Sequence, residues 1–228
     1  MTRAAGKSFL SDVEQAPPDP ILGVSVAFRE CQNPNKLNLG VGAYRTEALE
    51  PYVLDVVKRA EKMMLDAGHD KEYLPMQGLA EFNAATVELL LGKDSEAVRD
   101  DRVATVQSLS GTGSLRVGAA FVAKFMPGAK VFLPSPTWGN HKNIFADAGC
   151  EWAEYRYYDS KTVGLDLEGM LEDLRAMPEG SVVILHGCAH NPTGVDPTRD
   201  EWVTIADVCE KNRLVPFFDV AYQGFASG

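Results

Sequence analysis

Between residues 102 and 219 the sequence alternates short apolar runs with longer amphipathic stretches. The strand-like runs are RVATVQSL, AKVFLP, CEWAEYRYY, SVVILHG and LVPFFD. The stretches between them are typical of helices, and the last one, TRDEWVTIADVCEKNR, opens with the capping-box pair Thr198 and Glu201. This alternation predicts an α/β fold, a mostly parallel sheet with helices on both faces. Any site is then expected at the carboxyl ends of the strands.

The region before residue 102 has a different pattern. Residues 1 to about 45 supply turn residues rather than periodicity, as in PPDP and CQNPNKLNLGVGAY, and we interpret them as an arm. Two helical stretches follow, YVLDVVKRAEKMMLDAG and GLAEFNAATVELLLG. The sequence has no internal repeat and no low-complexity segment.

Charge and hydropathy exclude several classes of partner. The formal net charge is −10, and no run of Lys and Arg is present that could bind a phosphate backbone or an anionic membrane. No apolar run approaches the roughly 18 to 20 residues of a membrane-spanning helix, and the opening MTRAAGKSFL lacks the apolar centre of a signal peptide. We therefore expect a cytoplasmic protein with no nucleic-acid or membrane partner. The 4 cysteines have no C-x-x-C spacing and are interpreted as reduced structural thiols.

The segment SLSGTGSLRVG follows the first predicted strand. Its glycine, serine and threonine residues lie at the start of a predicted helix, where bare amides and the positive end of the helix dipole suit a phosphate. A capped helix that packs closely on the sheet would explain the same residues. A P-loop is excluded because no lysine follows Gly113, and a dinucleotide motif is excluded because position 116 is Arg116. The phosphate is therefore not expected to belong to a nucleotide.

Three other predicted strands also end in polar or aromatic residues. Trp138 follows the second strand and could stack on a planar ligand, although tryptophan in such a place is more often part of the core. Asn191 follows the fourth, and the turn made by its bond to Pro192 leaves its amide free to donate. Asp219 and Tyr222 follow the fifth, where a buried carboxylate needs a cation or a donor as its partner, and a structural ion pair is the alternative.

Histidines accompany two of these strand ends. His141 lies one helical turn after Trp138. His186 and His190 are four positions apart but not on a helix, and no third ligand lies nearby, so we expect no metal site.

One ligand accounts for all the groups at these predicted strand ends, namely a phosphate site, an aromatic ring, an amide donor, an acid and a phenol. Pyridoxal phosphate has a phosphate, a flat ring, a ring nitrogen and a phenolate oxygen, and the protein's part in its chemistry is to bind and tune that ring. The sequence therefore indicates pyridoxal phosphate as the cofactor.

Six motifs in order make the sequence resemble the aspartate aminotransferase family, in fold type I of the pyridoxal-phosphate enzymes. They are NLGVGAYRT, EYLPMQGLAEFN, SGTGSLRVGAAF, PTWGNH, HNPTGVDPT and FFDVAYQGFASG. The resemblance runs from about residue 37 to Gly228. It implies that residues 1–47 form an N-terminal arm and part of a small domain, and that residues 48–228 form an incomplete cofactor-binding large domain.

The resemblance also implies roles for matching residues. Asp219 would pair with the pyridinium nitrogen, and Asn191 and Tyr222 would hydrogen-bond the phenolate oxygen. Trp138 would stack on the ring, and with Asp219 and Tyr222 it would make up the catalytic set. The phosphate would be held by Ser110, Gly111, Thr112 and, from the neighbouring subunit of a homodimer, Tyr73.

Further roles concern the substrate and the surroundings of the acid. Gly42 would close over the substrate, which Trp138 and Asn191 would also contact, and His141 and His186 would lie behind Asp219. The implied reaction is reversible transfer of the amino group between L-aspartate and 2-oxoglutarate, giving oxaloacetate and L-glutamate.

In the family, the lysine that binds the cofactor covalently and the arginines that bind the substrate carboxylates lie beyond YQGFASG. The 228-residue portion alone is therefore expected to be inactive, and the activity is expected of the intact protein. Two alternatives stay open. One is another fold type I enzyme, such as an aromatic aminotransferase or an α-carbon lyase. The other is a non-catalytic truncated paralogue that dimerises with a complete subunit.

Overall fold

The computed structural model describes residues 8, 10–15, 20–38, 40 and 42–226. The chain divides into two compact units, Met1–Glu72 and Tyr73–Gly228. The expected domain boundary near residue 47 stays a prediction.

The first unit contains two helices, α1 (Pro20–Glu30) and α2 (Asp55–Ala67). Helix α2 lies within the predicted helical stretch, whereas α1 corrects the expectation that residues 1 to about 45 are irregular throughout. Proline is well placed in the first turn of α1, because the amide it lacks would have no partner there. Lys36 stabilises the other end of α1, since its Nζ donates to the carbonyl oxygens of Phe28 and Cys31, each at 2.7 Å.

The second unit carries the remaining elements. In chain order they are α3 (Ala80–Leu91), α4 (Glu96–Arg99), α5 (Ser110–Phe125), β1 (Val131–Ser135), α6 (Gly139–Asp147), β2 (Trp152–Arg156), β3 (Tyr158–Asp159), β4 (Gly164–Leu165), α7 (Leu167–Ala176), β5 (Val182–His186), α8 (Arg199–Lys211) and β6 (Val215–Asp219). No helix in the part of the chain that the structure describes is long and apolar enough to cross a membrane.

The main sheet has four strands in the order β2-β1-β5-β6, and every neighbouring pair is parallel. This confirms the predicted parallel sheet. Strand β5 is central, and all five of its residues are buried. Its last residue, His186, lies opposite Asp219, the last residue of β6. The register therefore brings two of the predicted site residues together.

Both faces of the sheet are covered by helices, as predicted. In β5, Val183 and Leu185 point to a core that includes residues of α7 and α8, while Val182 and Ile184 point to a core formed with α5 and α6. This follows from the strand geometry, because successive side chains point to opposite faces. Helix α5 lies close to β6, since a Cβ atom at Gly118 would come within 2.5 Å of Phe217 Cζ.

Two of the predicted strands are wrong in detail. Residues 102–108 form no strand. Within this segment the Gln107 amide donates to the Gln77 carbonyl at 2.9 Å, and Gln107 Oε1 accepts from the Leu79 amide at 2.9 Å. The predicted strand at 150–158 divides into β2 and β3, and β3 pairs antiparallel with β4. The break falls at Tyr157, whose side chain is buried and whose hydroxyl donates to the Val195 carbonyl at 2.6 Å.

The predicted capping box at the start of α8 is confirmed. The Glu201 amide donates to Thr198 Oγ1 at 3.4 Å, and the Thr198 amide donates to Glu201 Oε2 at 2.7 Å. Both bonds satisfy donors that the first turn of a helix leaves without intrahelical partners.

Replacing Thr198 with alanine is expected to lower the free energy of unfolding by about 1 kcal/mol, because one amide then loses its acceptor. Thr204→Ala is the matched control, since Thr204 is exposed on the same helix and its hydroxyl donates only to the Asp200 carbonyl. Urea unfolding followed by circular dichroism measures both variants. Equal stability of the two would contradict the stabilising role of this cap.

Candidate active site

The carboxyl ends of β1, β5 and β6 bring the polar residues of the candidate site together. Strand β6 ends at Asp219, β5 ends at His186, and β1 leads through Thr137 and Trp138 into α6. Because α6 begins directly after Trp138, its first turn places His141 beside the same strand ends. Sequence analysis named four of these five residues and missed Thr137.

A chain of hydrogen bonds joins these strand ends. His141 is fully buried, and its Nε2 lies 2.9 Å from Asp219 Oδ2. Its Nδ1 lies 2.8 Å from Thr137 Oγ1, which is in turn 3.3 Å from His186 Nε2. The backbone amide of Asn191 completes the chain by donating to His186 Nδ1 at 3.1 Å.

The donors give this chain of hydrogen bonds a direction. His186 Nδ1 accepts from the Asn191 amide, so a neutral His186 carries its proton on Nε2 and donates to Thr137. The single hydroxyl proton of Thr137 is then available for Nδ1 of a neutral His141, which leaves the His141 Nε2–H to donate to Asp219. Each donor therefore has an acceptor, and the chain ends at the carboxylate.

The pKa shifts agree with this arrangement. The hydrogen bond from His141 is the main reason that the pKa of Asp219 lies below its ordinary 3.8, although burial acts in the opposite direction. The pKa of His186 is lowered from 6.5 to about 3, mainly by burial and also by nearby His190 and His141. Burial and His141 likewise lower the pKa of His190 to about 4. At neutral pH the site thus contains an ionised Asp219 beside neutral His186 and His190.

Trp138 is partly a core residue, and its stacking on a ligand stays a prediction. Its side chain is half-buried and packs against the core shared by α5, α6 and the sheet. Its ring also meets the His141 ring edge to face, with centroids 5.4 Å apart and planes at 87°. A tryptophan held in this way can present the rest of its surface to a planar ligand.

Asn191 and Tyr222 lie on the loops that follow β5 and β6, and both are half-buried. The two loops are joined at their bases, where the Gly187 amide donates to the Asp219 carbonyl at 2.9 Å. A Cβ atom at Gly187 would come within 2.9 Å of Val220 Cγ2, so a larger residue would separate the loops.

Ser110, Gly111 and Thr112 form the first turn of α5, as predicted, and all three are exposed. This turn contains no acidic residue, and Leu109 before it provides no side-chain cap. The 16-residue helix therefore begins with backbone amides that no side-chain cap satisfies, and no acidic residue in this turn offsets the positive end of the helix dipole. Within the described residues, the side chains of this turn form no hydrogen bond with Asp219 or His141.

The other two predicted site residues lie elsewhere in the chain. Tyr73 is the first residue of the second unit, and its side chain is fully exposed. Gly42 belongs to the first unit and is also exposed. Their predicted roles, toward a neighbouring subunit and toward the substrate, stay predictions.

His190 differs from His186 in its hydrogen bonding. Its Nδ1 lies 2.7 Å from Thr193 Oγ1, whereas its buried Nε2 has no partner among the described residues. Its ring stacks between those of Tyr157, at 4.0 Å, and His186, at 4.3 Å. Among the described residues, no group of three or more His, Cys, Asp or Glu side chains is arranged to hold a metal ion.

Comparison with known proteins gives consistent results. The family model described as aminotransferase class I and II matches residues 34–228. The mitochondrial aspartate aminotransferase P2 of Lupinus angustifolius is 64% identical over 228 residues, which are 100% of this chain and 50% of that protein. The chloroplastic aspartate aminotransferase of Arabidopsis thaliana is 63% identical over the same shares of both proteins. The chain therefore spans about half the length of the curated relatives it matches.

Solved structures also resemble the chain. An aromatic-amino-acid aminotransferase from Burkholderia pseudomallei, covalently bound to pyridoxal phosphate, matches with a TM-score of 0.91 and 46% identity, over 96% of this chain and 55% of that one. The aspartate aminotransferase from Saccharomyces cerevisiae cytoplasm matches with a TM-score of 0.89 and 42% identity, over 95% and 53% of the two chains.

The neutral His186 predicts a loss of stability in mild acid. Below pH 6.5 the unfolded chain binds a proton at this ring that the folded chain excludes until the pH nears the folded pKa of about 3. The free energy of unfolding should therefore fall between pH 6.5 and 4.5, by up to about 1.4 kcal/mol per pH unit for this ring. Urea unfolding at a series of pH values measures the slope.

His186→Asn should flatten that slope, because it removes the group that titrates. The control is His69→Gln, which replaces a histidine that is exposed in the folded chain and should leave the slope as it is. His190, whose folded pKa of about 4 also lies below 6.5, keeps its own share of the slope in His186→Asn. A slope as steep as that of the wild type would contradict the exclusion of the proton from His186.

Proposed function

The chain belongs to the class I and II aminotransferases, and from this premise we propose that the whole protein is an aspartate aminotransferase. It would use pyridoxal phosphate to transfer an amino group reversibly between L-aspartate and 2-oxoglutarate. The observation that carries the proposal is the hydrogen bond from the buried His141 to Asp219, which keeps an ionised carboxylate at the end of β6.

The residues at the strand ends fit this cofactor. The side chain of Asp219 is 19% exposed, so its carboxylate can accept a hydrogen bond from a protonated ring nitrogen. Trp138 offers a surface for the flat ring, and the first turn of α5, which begins at Ser110, offers exposed amides to a phosphate. These are three of the groups that binding of pyridoxal phosphate requires.

When bound, pyridoxal phosphate supplies the electron sink that makes removal of a proton from the α-carbon of an amino acid feasible. The part of Asp219 is to hold a proton on the ring nitrogen. The part of His141 is to keep that carboxylate ionised and oriented, and Thr137 and His186 hold His141 in the tautomer that donates to it.

The remaining residues position the ring and the substrate. Asn191 and Tyr222 would donate hydrogen bonds to the phenolate oxygen, and Ser110, Gly111 and Thr112 would bind the phosphate. Trp138 would limit the movement of the ring and exclude water from its face. Asn191 and Trp138 would also contact the substrate, over which Gly42 would close.

Aminotransferases act on amino acids and 2-oxo acids, and the relatives at 63–64% identity support aspartate as the amino acid for this protein. We further propose a homodimer in which the exposed Tyr73 binds the phosphate of the neighbouring subunit. A cytoplasmic location also stays a prediction, because the curated relatives include mitochondrial, chloroplastic and cytoplasmic enzymes.

An aromatic aminotransferase is the second candidate. Solved structures of that kind match with TM-scores of 0.91 and 0.92. A substrate screen of the whole protein distinguishes the two functions. We expect a higher kcat/KM for aspartate than for phenylalanine or tyrosine, and the reverse order would favour the second candidate.

Replacing Asp219 with alanine in the whole protein should abolish most of its transamination. A hydrogen bond to a charged group contributes about 1.5–3 kcal/mol, and each 1.36 kcal/mol of barrier is about tenfold in rate, so kcat/KM for aspartate should fall at least tenfold. The control is Asp207→Ala, which removes an exposed carboxylate that pairs only with Lys211. Near-normal turnover of a folded Asp219→Ala variant would contradict the role given to this carboxylate.

If each active site contains residues of both subunits, two inactive variants should complement each other in a mixed dimer. A Tyr73→Phe chain mixed with a Trp138→Ala chain forms heterodimers in which one site has both an intact Trp138 and an intact partner Tyr73. Equal mixing should restore about a quarter of wild-type activity, because about half of the dimers are mixed and each has one intact site of two. Activity no higher than that of the separate variants would indicate that Tyr73 serves its own subunit or neither.

A further inference from the structure

The carboxylate of Asp196 forms two hydrogen bonds within the loop between β5 and α8. Its Oδ2 accepts a hydrogen bond from the Ala189 amide at 2.6 Å, and its Oδ1 accepts one from the His190 amide at 2.9 Å. Both bonds reach back along the chain to the two residues directly before Asn191. A carboxylate that accepts from two consecutive amides forms charge-assisted bonds, which are stronger than neutral ones.

The backbone at this point needs such support. Ala189 has φ of 47°, in the left-handed region that residues other than glycine rarely adopt. Other contacts also hold the loop. The Gly194 amide donates to the His190 carbonyl at 2.6 Å, the hydroxyl of the buried Tyr157 donates to the Val195 carbonyl at 2.6 Å, and Thr193 Oγ1 lies 2.7 Å from His190 Nδ1. Asp196 is the only one of these groups that bonds directly to Ala189.

Asn191 is the residue whose placement depends on this turn. Its amide begins the chain of hydrogen bonds that ends at Asp219. Its side chain is half-buried and belongs to the residue directly after Ala189 and His190. A change in the backbone angles of Ala189 or His190 would move both groups.

We propose that Asp196 is a positioning residue that acts through Asn191. It fixes the turn at Ala189 and His190 and thereby sets the position of the Asn191 amide against His186 and of the Asn191 side chain in the site. The effect on the site rests on the proposed function, in which that side chain donates to the phenolate oxygen of the cofactor, whereas the effect on the loop does not.

Asparagine is the most informative substitution at position 196. It has nearly the same shape as aspartate but only one acceptor oxygen, and its NH₂ group would face one of the two amides that the carboxylate now satisfies. The matched control is Asp159→Asn. Asp159 also accepts a backbone bond, from the Lys161 amide at 2.9 Å, but it lies at the end of β3, outside the loop that holds Asn191.

The first measurement tests the loop in the whole protein without added cofactor. In D196N, amide hydrogen exchange at whichever of Ala189 and His190 faces the NH₂ group should become at least about tenfold faster, because that amide loses its acceptor. The other amide should also exchange faster, because its bond is no longer charge-assisted. Exchange in D159N should match that of the wild type at both positions. Unchanged exchange in D196N would overturn the proposal.

The second measurement tests the action through Asn191. With pyridoxal phosphate bound, D196N should shift the pH titration of the cofactor absorbance and lower kcat/KM for aspartate, and D159N should do neither. In an Asn191→Ala background, D196N should cause a clearly smaller loss than in the wild type, because the side chain it positions has already been removed and only the backbone amide at position 191 can still be displaced. Losses that multiply in the double variant would overturn the proposal.

The two measurements distinguish failure of the proposed function from failure of the role proposed for Asp196. If the wild-type protein neither binds pyridoxal phosphate nor turns over aspartate, the proposed function fails, while the exchange experiment still decides whether Asp196 holds the loop. Should D196N not fold, combining it with Ala189→Gly provides the same comparison, because glycine adopts a positive φ without strain. Recovery of folding in that double variant supports the proposal, and failure to recover contradicts it.

Discussion

The hydrogen bond between His141 and Asp219 is the interaction on which the rest of the site depends. It spans 2.9 Å and joins residues 78 positions apart, one in the first turn of α6 and one at the end of β6. A fully buried imidazole needs a partner for each nitrogen, and a partly buried carboxylate needs a donor. Each residue supplies what the other requires, so removal of either would leave a polar group without its partner.

This pair is useful because its neighbours determine which atom carries the proton. The Asn191 amide, His186 and Thr137 leave Nε2 of a neutral His141 as the donor toward the carboxylate. Burial keeps the pKa of His186 near 3, so this ring does not gain a second proton that would reverse the direction. In a low-dielectric interior a network in which every donor has an acceptor is rigid, and rigidity at Asp219 would favour the role toward a ring nitrogen that we propose for it.

Sequence patterns predicted the part of this arrangement that depends on strands. Parallel strands place their carboxyl ends together, so Asp219, His186 and His141 could be expected at one edge before any contact was known. Thr137 could not, because its partner His186 is 49 positions away and a threonine before a helix has many ordinary explanations. Asp196 was missed for the same reason, since only the fold shows that its carboxylate turns back to Ala189 and His190.

The two strand predictions that are wrong in detail have a related cause. Alternation predicts that a segment such as 102–108 is extended, but a strand also needs a neighbour to form a ladder, and the bonds of Gln107 go to residues 77 and 79 instead. The sequence pattern that predicts β2 continues through Tyr157 and Tyr158. Tyr157, however, is buried with its hydroxyl bonded to the Val195 carbonyl, and the chain leaves the main sheet at this residue. The alternation of apolar residues is a property of one segment, whereas strand pairing depends on two segments.

The distribution of charge gives an independent reason to expect a ligand of mixed sign. The ionised carboxylate of Asp219 suits a cation such as a protonated ring nitrogen. The first turn of α5, with no acidic residue and no side-chain cap, suits an anion such as a phosphate. A purely anionic ligand would meet repulsion at Asp219, and a purely cationic one would gain nothing from the helix. A ligand with a positive ring and a negative phosphate would suit both features, and this is the charge pattern of the proposed cofactor, pyridoxal phosphate with its ring nitrogen protonated.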